Sequence, residues 1–284
     1  MEAVCTKREP GFLKGLLLKI KARTAAMSHR EKMCSLVIDE MAIKGHLDYN
    51  RRTDFIDGLT PDGSKARQAV VFMARAINGK WKQAIGYFLS KTAMPSEEIA
   101  IKLKQAVTHL QDAVLTVKCI VCDQRSTNVK AMRLLGASLD INDTSDGSHC
   151  VLQNIPLIFD VPHLMKSIRN NLKKHSLHVG EQEVSWKHVE DFFNLDKRSA
   201  IRMAPKLTER HIHLPPFSNM RVKLDTQVFS HSVAAGMQTM VMHHKLSEEA
   251  LHTAKFAEDL DRLFDILNSR SIKGHKMVEK TSWH

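Results

Sequence analysis

Two aspartates raise the first chemical question. Asp39 ends an apolar run in CSLVIDEMAIKGHLDYN, residues 34–50, and Asp123 ends another in VKCIVCD. Burying a carboxylate costs several kcal/mol unless it is paired or holds a metal. If the two strands lie side by side, two like charges meet and call for a cation between them. Oxygen ligands favour Mg2+ or Mn2+, and such ions activate water and stabilise the leaving oxygen of a phosphodiester. On this reading Asp39 and Asp123 are both metal ligands and catalytic residues. The other reading is that each caps a strand end and pairs with Lys or Arg. Both stay open on the sequence alone. Glu40 is the weaker candidate, because neighbouring strand residues point to opposite faces.

The elements around these residues can bring them together. Residues 34–44 read as a strand, 46–50 as a short second one, and RRTDFIDGLTPDGSK as turns. AVVFMARAINGKWKQAIGYFLS holds two apolar runs around Asn78-Gly79, a strong hairpin signal. A helix is predicted over about 96–115, a buried strand at VKCIVCD, a helix over 126–135, a strand in CVLQNIPLIFDVPH and a helix over 162–174. A right-handed crossover returns the fourth strand beside the first and parallel to it. That order is α/β, a ribonuclease H-like mixed sheet. After about residue 175 strand signals fade, the rest reads as helices and loops, and a domain boundary is placed near residue 165.

Other groups carry less. Cys119 and Cys122 have CxxC spacing, but residues three apart on a strand point to opposite faces and cannot pinch one metal. His211, His213, His243 and His244 have no matching Cys or acid spacing and read as surface residues. Met237, Met240 and Met242 read as adaptable core packing on a helix. Asp160 and His163 flank Pro162, where Asp160 suits the cap of the following helix. Lys166, Arg169, Lys173 and Lys174 make that helix basic and suited to phosphates. Asp140, Asp143 and Asp146 sit in a turn-forming segment, the wrong setting for a third metal ligand.

Composition narrows the partners. The 284 residues are 43% hydrophobic and 26% charged, with 42 Lys+Arg against 31 Asp+Glu and a net charge of +11. This is a globular composition with a bias toward polyanions. Five scattered cysteines and the absence of a signal peptide pattern fit a reducing, intracellular compartment. The apolar patch FLKGLLLKI is short and lysine-studded, so a basic amphipathic helix is expected there and no membrane partner.

Seven ordered stretches carry a resemblance: LVIDEMAIKGHLDYN, WKQAIGYFLS, CDQRSTN, IFDVPHLMKSIRNNL, APKLTERHI, NMRVKLDTQVFSHSV and LFDILNSR. Together they resemble the P-element transposase family, which includes THAP-domain transposase relatives. The resemblance implies a ribonuclease H-like catalytic domain interrupted by a mostly helical insertion that binds GTP. It divides the chain into a basic N-terminal segment (1–33), the catalytic domain (34–165) and a truncated insertion domain (166–284). By the motif match Asp39 and Asp123 correspond to the first two metal-binding carboxylates of a DDE-type transposase. Lys206, Val222, Ser230 and Asp265 fall where the family contacts guanine nucleotide. An Asp suits guanine by accepting from N1–H and the exocyclic amine, and no GxxxxGK[ST] loop is present. The family's third acid, a glutamate beyond the insertion, has no match, and Glu279 lies in unrelated surroundings. The family's zinc finger needs more cysteines than the single Cys5 ahead of Cys34. The implied cofactors are Mg2+ or Mn2+ and GTP, and the implied partners are DNA and guanine nucleotide. The resemblance admits a homo-oligomer and points to the nucleus.

Overall fold

Buried Cys34, Leu36 and Ile38 alternate with half-buried Val37 and exposed Asp39 along one extended segment, the two-residue period of a strand with one covered face. In the computed structural model this segment is central to a seven-stranded sheet. The structure describes residues 9–51, 54–138, 150–152, 154–213 and 222–267, in two units that divide between Asp160 and Val161.

The first unit runs β1 (Gly11–Phe12), α1 (Lys14–Thr24), β2 (Met33–Ala42), β3 (Asp48–Asn50), β4 (Phe55–Asp57), β5 (Gln68–Ala76), β6 (Lys82–Ser90), α2 (Ser96–Asp112), β7 (Thr116–Cys122), α3 (Ser126–Leu134), β8 (Cys150–Val151) and β9 (Ile155–Phe159). The sheet order is β1-β6-β5-β2-β7-β9-β8. β2, β5 and β6 form an antiparallel meander, and β7 returns parallel to β2 with β9 parallel to β7. This is the expected ribonuclease H-like mixed sheet. Ile99, Leu103, Val107 and Leu110 of α2, with Ala131 and Met132 of α3, pack with Leu36, Phe72, Ile85 and Ile120 into one core. On the opposite sheet face Val37, Val71, Met73 and Val121 are half-buried.

Three details depart from the sequence reading. Residues 9–33 belong to the first unit: β1 pairs with β6 at the sheet edge, and the buried Thr24 hydroxyl donates to Ala113 O at 2.9 Å. The Asn78-Gly79 hairpin has a wider connection, residues 77–81. Ala76 N donates to Trp81 O at 3.0 Å, while Trp81 Nε1 and Asn78 Nδ2 donate to the carbonyls of Glu31 and Arg30, which stretches the turn. The unit boundary precedes residue 165 because Val161 and Met165 already belong to the second core.

The second unit comprises α4 (Val161–Lys174), β10 (Leu177–Val179), β11 (Gln182–Val184), α5 (Trp186–Asp196), α6 (Glu209–Ile212), α7 (Val222–Val228), α8 (His231–Met242) and α9 (Ala250–Leu267). Its core gathers Leu172, Trp186, Phe192, Phe193, Phe229, Val233, Met237 and Met240. The hairpin β10–β11 escapes a reading of this region as helices and loops. Gly180, at φ 63°, opens the turn between Val179 and Gln182. Met242 is 76% exposed, so only Met237 and Met240 of that trio are core. His211 is buried, against the expectation of a surface residue. Its Nδ1 accepts from Thr208 N at 2.9 Å, and its Nε2 lies 2.9 Å from Gln227 Oε1. Among the described residues no helix is long and apolar enough to cross a membrane.

Candidate metal centre and nucleotide site

The parallel strands β2, β7 and β9 end at one edge of the sheet, where open α/β sheets place their ligands. The last paired positions of β2 and β7 are Val37 and Val121. Continuing that register by two residues on each strand sets Asp39 beside Asp123, on the same face because side chains repeat every second residue. β7 and β9 pair through Cys122 and Phe159, and Asp160 N donates to Cys122 O at 2.8 Å. One further step sets Asp160 beside Asp123. Asp39, within β2 just past its last pair with β7, therefore lies in one row with Asp123 and Asp160, which directly follow β7 and β9. The side chain of Asp39 is exposed and has no hydrogen-bonded or ionic partner among the described residues.

Asp123 is held closely. Its Oδ1 accepts from Asn128 Nδ2 at 2.6 Å and from Arg125 N at 3.1 Å. Its Oδ2 lies 3.1 Å from Arg125 Nε. The same guanidinium reaches Glu40, with Nη1 to Oε2 at 2.7 Å, while Glu40 Oε1 accepts from Met94 N at 3.3 Å. The side chains of Glu40 and Asp123 are 6% and 12% exposed, that of Arg125 48%. Strand parity correctly sends Glu40 to the covered face, yet the arginine bridges it to Asp123 around the strand ends. Sequence reasoning ranks Glu40 as the weaker candidate and does not single out Arg125 or Asn128. The signal available was CDQRSTN itself, in which a donor-rich loop and first helical turn follow the aspartate directly.

The electrostatics of the edge are negative. The Cys122 thiol is pushed up to about 12, first by burial and then by the carboxylates of Asp123 and Asp160. Cys34 is likewise pushed up to about 12 by burial, with Cys119 adding to it, and burial also raises Cys119. Thiols kept protonated in this way are poor metal ligands and poor nucleophiles. The carboxylates are the donors that fit a cation. Two hard oxygen ligands at neighbouring strand ends suit Mg2+, which is held by one or two carboxylates and keeps several waters. Among the described residues no group of three or more His, Cys, Asp or Glu side chains comes together to hold a metal ion. Asp140, Asp143, Asp146 and Glu279 lie outside the described residues.

The four nucleotide candidates occupy the second unit. Lys206 is exposed between α5 and α6, Val222 opens α7, and Asp265 is exposed on α9. Ser230 stands at the N-cap of α8, its hydroxyl donating to Gln227 O at 2.9 Å. α7 and α9 are neighbours, which brings Val222 and Asp265 onto packed helices. A separate cleft of about 580 Å³, lined among others by Lys187, His188, Asp191, Asn194, Lys245 and Ser247, includes none of the four. The basic face expected on α4 is partly consumed by packing. Arg169 is buried, and Lys173 donates to Ile212 O at 2.6 Å.

Residues 8–136 match the family model described as TNP-like, RNase H N-terminal domain, and residues 162–281 match the TNP-like, GTP-binding insertion domain. The chain belongs to the P-element transposase family. Within that family it is 25% identical over 282 residues to the DNA transposase THAP9 of Homo sapiens, covering 93% of this chain. It is 27% identical over 240 residues to the Transposable element P transposase of Drosophila melanogaster, covering 84% of this chain. The chain spans about a third of the length of these curated relatives, 31% and 30%. Its fold is similar to that of the Drosophila P element transposase strand transfer complex, with a TM-score of 0.77 at 22% identity. That match covers 97% of this chain and 59% of the solved one.

Proposed function

We propose that this chain carries the first two acidic residues of a P-element-like DNA transposase and a guanine-nucleotide-binding insertion, in the lineage of metal-dependent DNA strand cleavage and transfer. The observation that supports this reading is the parallel register of β2 and β7 through Val37 and Val121, which, continued by two residues, brings Asp39 alongside Asp123. Mg2+ or Mn2+, when bound, supplies activation of a water or 3′-hydroxyl nucleophile and stabilisation of the leaving oxygen. The chain's own part is to hold Asp123 in one orientation through Asn128 and Arg125 and to offer Asp39 as an open carboxylate. DNA is the proposed substrate, approached through the basic bias of the whole chain, with binding that weakens steeply as salt rises. The nucleus is the compartment such a substrate requires.

In the second unit, Asp265 is proposed to accept from the guanine base and Lys206 to supply charge, with Val222 and Ser230 lining the same nucleotide. Calorimetric titration tests both halves. Mn2+ is expected to bind the chain and to bind Asp39→Asn and Asp123→Asn more weakly, and GTP is expected to bind more tightly than ATP unless Asp265 is changed to Ala. Ion binding indifferent to both aspartates would remove the metal half of the reading.

A second reading is favoured by the bonds of Asp123, whose two oxygens already meet a guanidinium, an amide and a backbone N–H. Such a carboxylate also suits a protein that binds DNA and nucleotide without cutting. The two readings separate on supercoiled DNA, where a Mg2+-dependent nick that vanishes in Asp39→Ala belongs only to the first.

A further inference from the structure

Arg125 places one positive charge between two carboxylates, and its two ends are not alike. The Glu40 end is the shorter contact, 2.7 Å, on a side chain 6% exposed whose other oxygen is fixed by Met94 N. The Asp123 end is longer, 3.1 Å, and involves only Oδ2. Asp123 does not need that contact for its orientation, because Oδ1 is already held by Asn128 Nδ2 and Arg125 N. Nearly half of the arginine side chain is exposed, so it can move without opening the core. The charges do not balance, either. One guanidinium serves Glu40 and Asp123, and Asp39 has no ionic partner among the described residues.

We propose that Arg125 is a resident counter-cation of the acidic edge, one that releases Asp123 Oδ2 to an incoming divalent ion while staying anchored on Glu40. The proposal rests on the metal-site reading above. The guanidinium holds one of the two oxygens through which Asp123 could take an ion, and it repels any dication that approaches. Arg125 thereby sets the ion concentration at which the edge loads, and Glu40 is the buried post that keeps the displaced arginine nearby. Asn128 keeps Asp123 aimed throughout, which is why loss of the guanidinium is expected to strengthen ion binding rather than weaken it.

The test is calorimetric titration of the full 284-residue chain with MnCl2, comparing the parent, Arg125→Gln, Asp123→Asn and the double variant. Arg125→Gln is expected to bind Mn2+ about tenfold more tightly, and Asp123→Asn to weaken binding in either background. A second measurement needs no loss of charge: the Arg125 Nε–H signal in 15N NMR, identified by its loss in Arg125→Lys, is expected to shift saturably as Mg2+ is added to the parent chain. Arg125→Gln binding no more tightly than the parent, while Asp123→Asn still weakens binding, overturns the counter-cation role and leaves the metal site standing. Mn2+ binding unaffected by Asp123→Asn overturns the metal site and the counter-cation with it. If Arg125→Gln does not fold, the NMR titration decides alone, and a signal that stays fixed through saturating Mg2+ overturns the proposal.

Discussion

Asp196 ends α5 in the second unit much as Asp123 follows β7 in the first, and each is bonded to an arginine a few residues later. The rest of their bonds differ. Asp196 is fully buried and accepts from Arg202 Nε at 3.1 Å, Met203 N at 2.7 Å and Ala204 N at 3.4 Å. Arg202 in turn donates to Ala204 O at 3.2 Å and Leu207 O at 2.6 Å. Every bond in that cluster closes the connection between α5 and α6, and the charge has no other use. Arg125 instead spends its donors on two acids at an open edge and stays half exposed. An acid–arginine pair is structural when its remaining bonds close on local backbone, and available for exchange when they lead to further charge.

The largest expected effect breaks the structural pair. Asp196→Ala leaves the Arg202 guanidinium half-buried and backbone N–H groups unsatisfied, and breaking a buried pair in this way costs about 3–5 kcal/mol. Arg125→Gln removes a half-exposed cation but leaves the buried Glu40 carboxylate with only Met94 N and the new amide, and is expected to cost about 1–3 kcal/mol. Urea unfolding of the two variants measures the contrast, and equal losses would mean that the edge pair is as structural as the other. Asp196→Ala is also expected to leave Mn2+ affinity unchanged where the fold persists.

A smaller effect compares two glycines. A Cβ on Gly236 would lie 2.6 and 2.8 Å from Phe192 ring atoms and 3.2 Å from Met203 Cβ. Phe192 is fully buried in the second core and has nowhere to go, so Gly236→Ala is expected to cost about 1–3 kcal/mol by overpacking. Gly86→Ala meets Phe12 Cδ1 at 2.7 Å and Gly11 O at 3.0 Å, atoms of the short edge strand β1. An edge strand can shift where a core ring cannot. Thermal unfolding is therefore expected to drop less for Gly86→Ala, and hydrogen exchange to loosen near residues 11–12 rather than globally.

The same contrast separates what the sequence made legible from what it did not. Alternation along MCSLVIDEMA reveals the covered face of β2, and the order of strands and helices is enough to bring Asp39 and Asp123 to one edge. Both depend on local periodicity and on a handedness rule. The Arg125–Glu40 contact joins residues 85 apart in sequence, one within β2 and the other in the loop after β7. No periodicity reports such a bridge, and parity alone argues against Glu40. In the second unit the turn at Gly180 was readable in principle, but its strands are three residues each, too short to show alternation against a helical background. The nucleotide candidates have no sequence pattern of their own, and only the family resemblance singles them out.

The smallest expected effect concerns pH, and it too divides the units, because every cysteine of the chain lies before residue 161. Burial lifts the thiols of Cys34 and Cys122 from an ordinary value of 9.0 to about 12. The unfolded chain then loses these protons before the folded chain does. The stability they contribute is complete below about pH 9 and is lost as pH rises from there toward 12. At half a unit above the ordinary value the loss is about 1 kcal/mol or less per thiol. Hydrogen exchange at mildly alkaline pH is expected to show this weakening in β2, β7 and α2 and not in α5 or α8, and Cys34→Ala with Cys122→Ala to remove it. An equal alkaline loss in both units would place its origin outside the thiols, and the contrast between a charged, thiol-bearing sheet edge and a neutral helical core would have to be drawn on the arginine pairs alone.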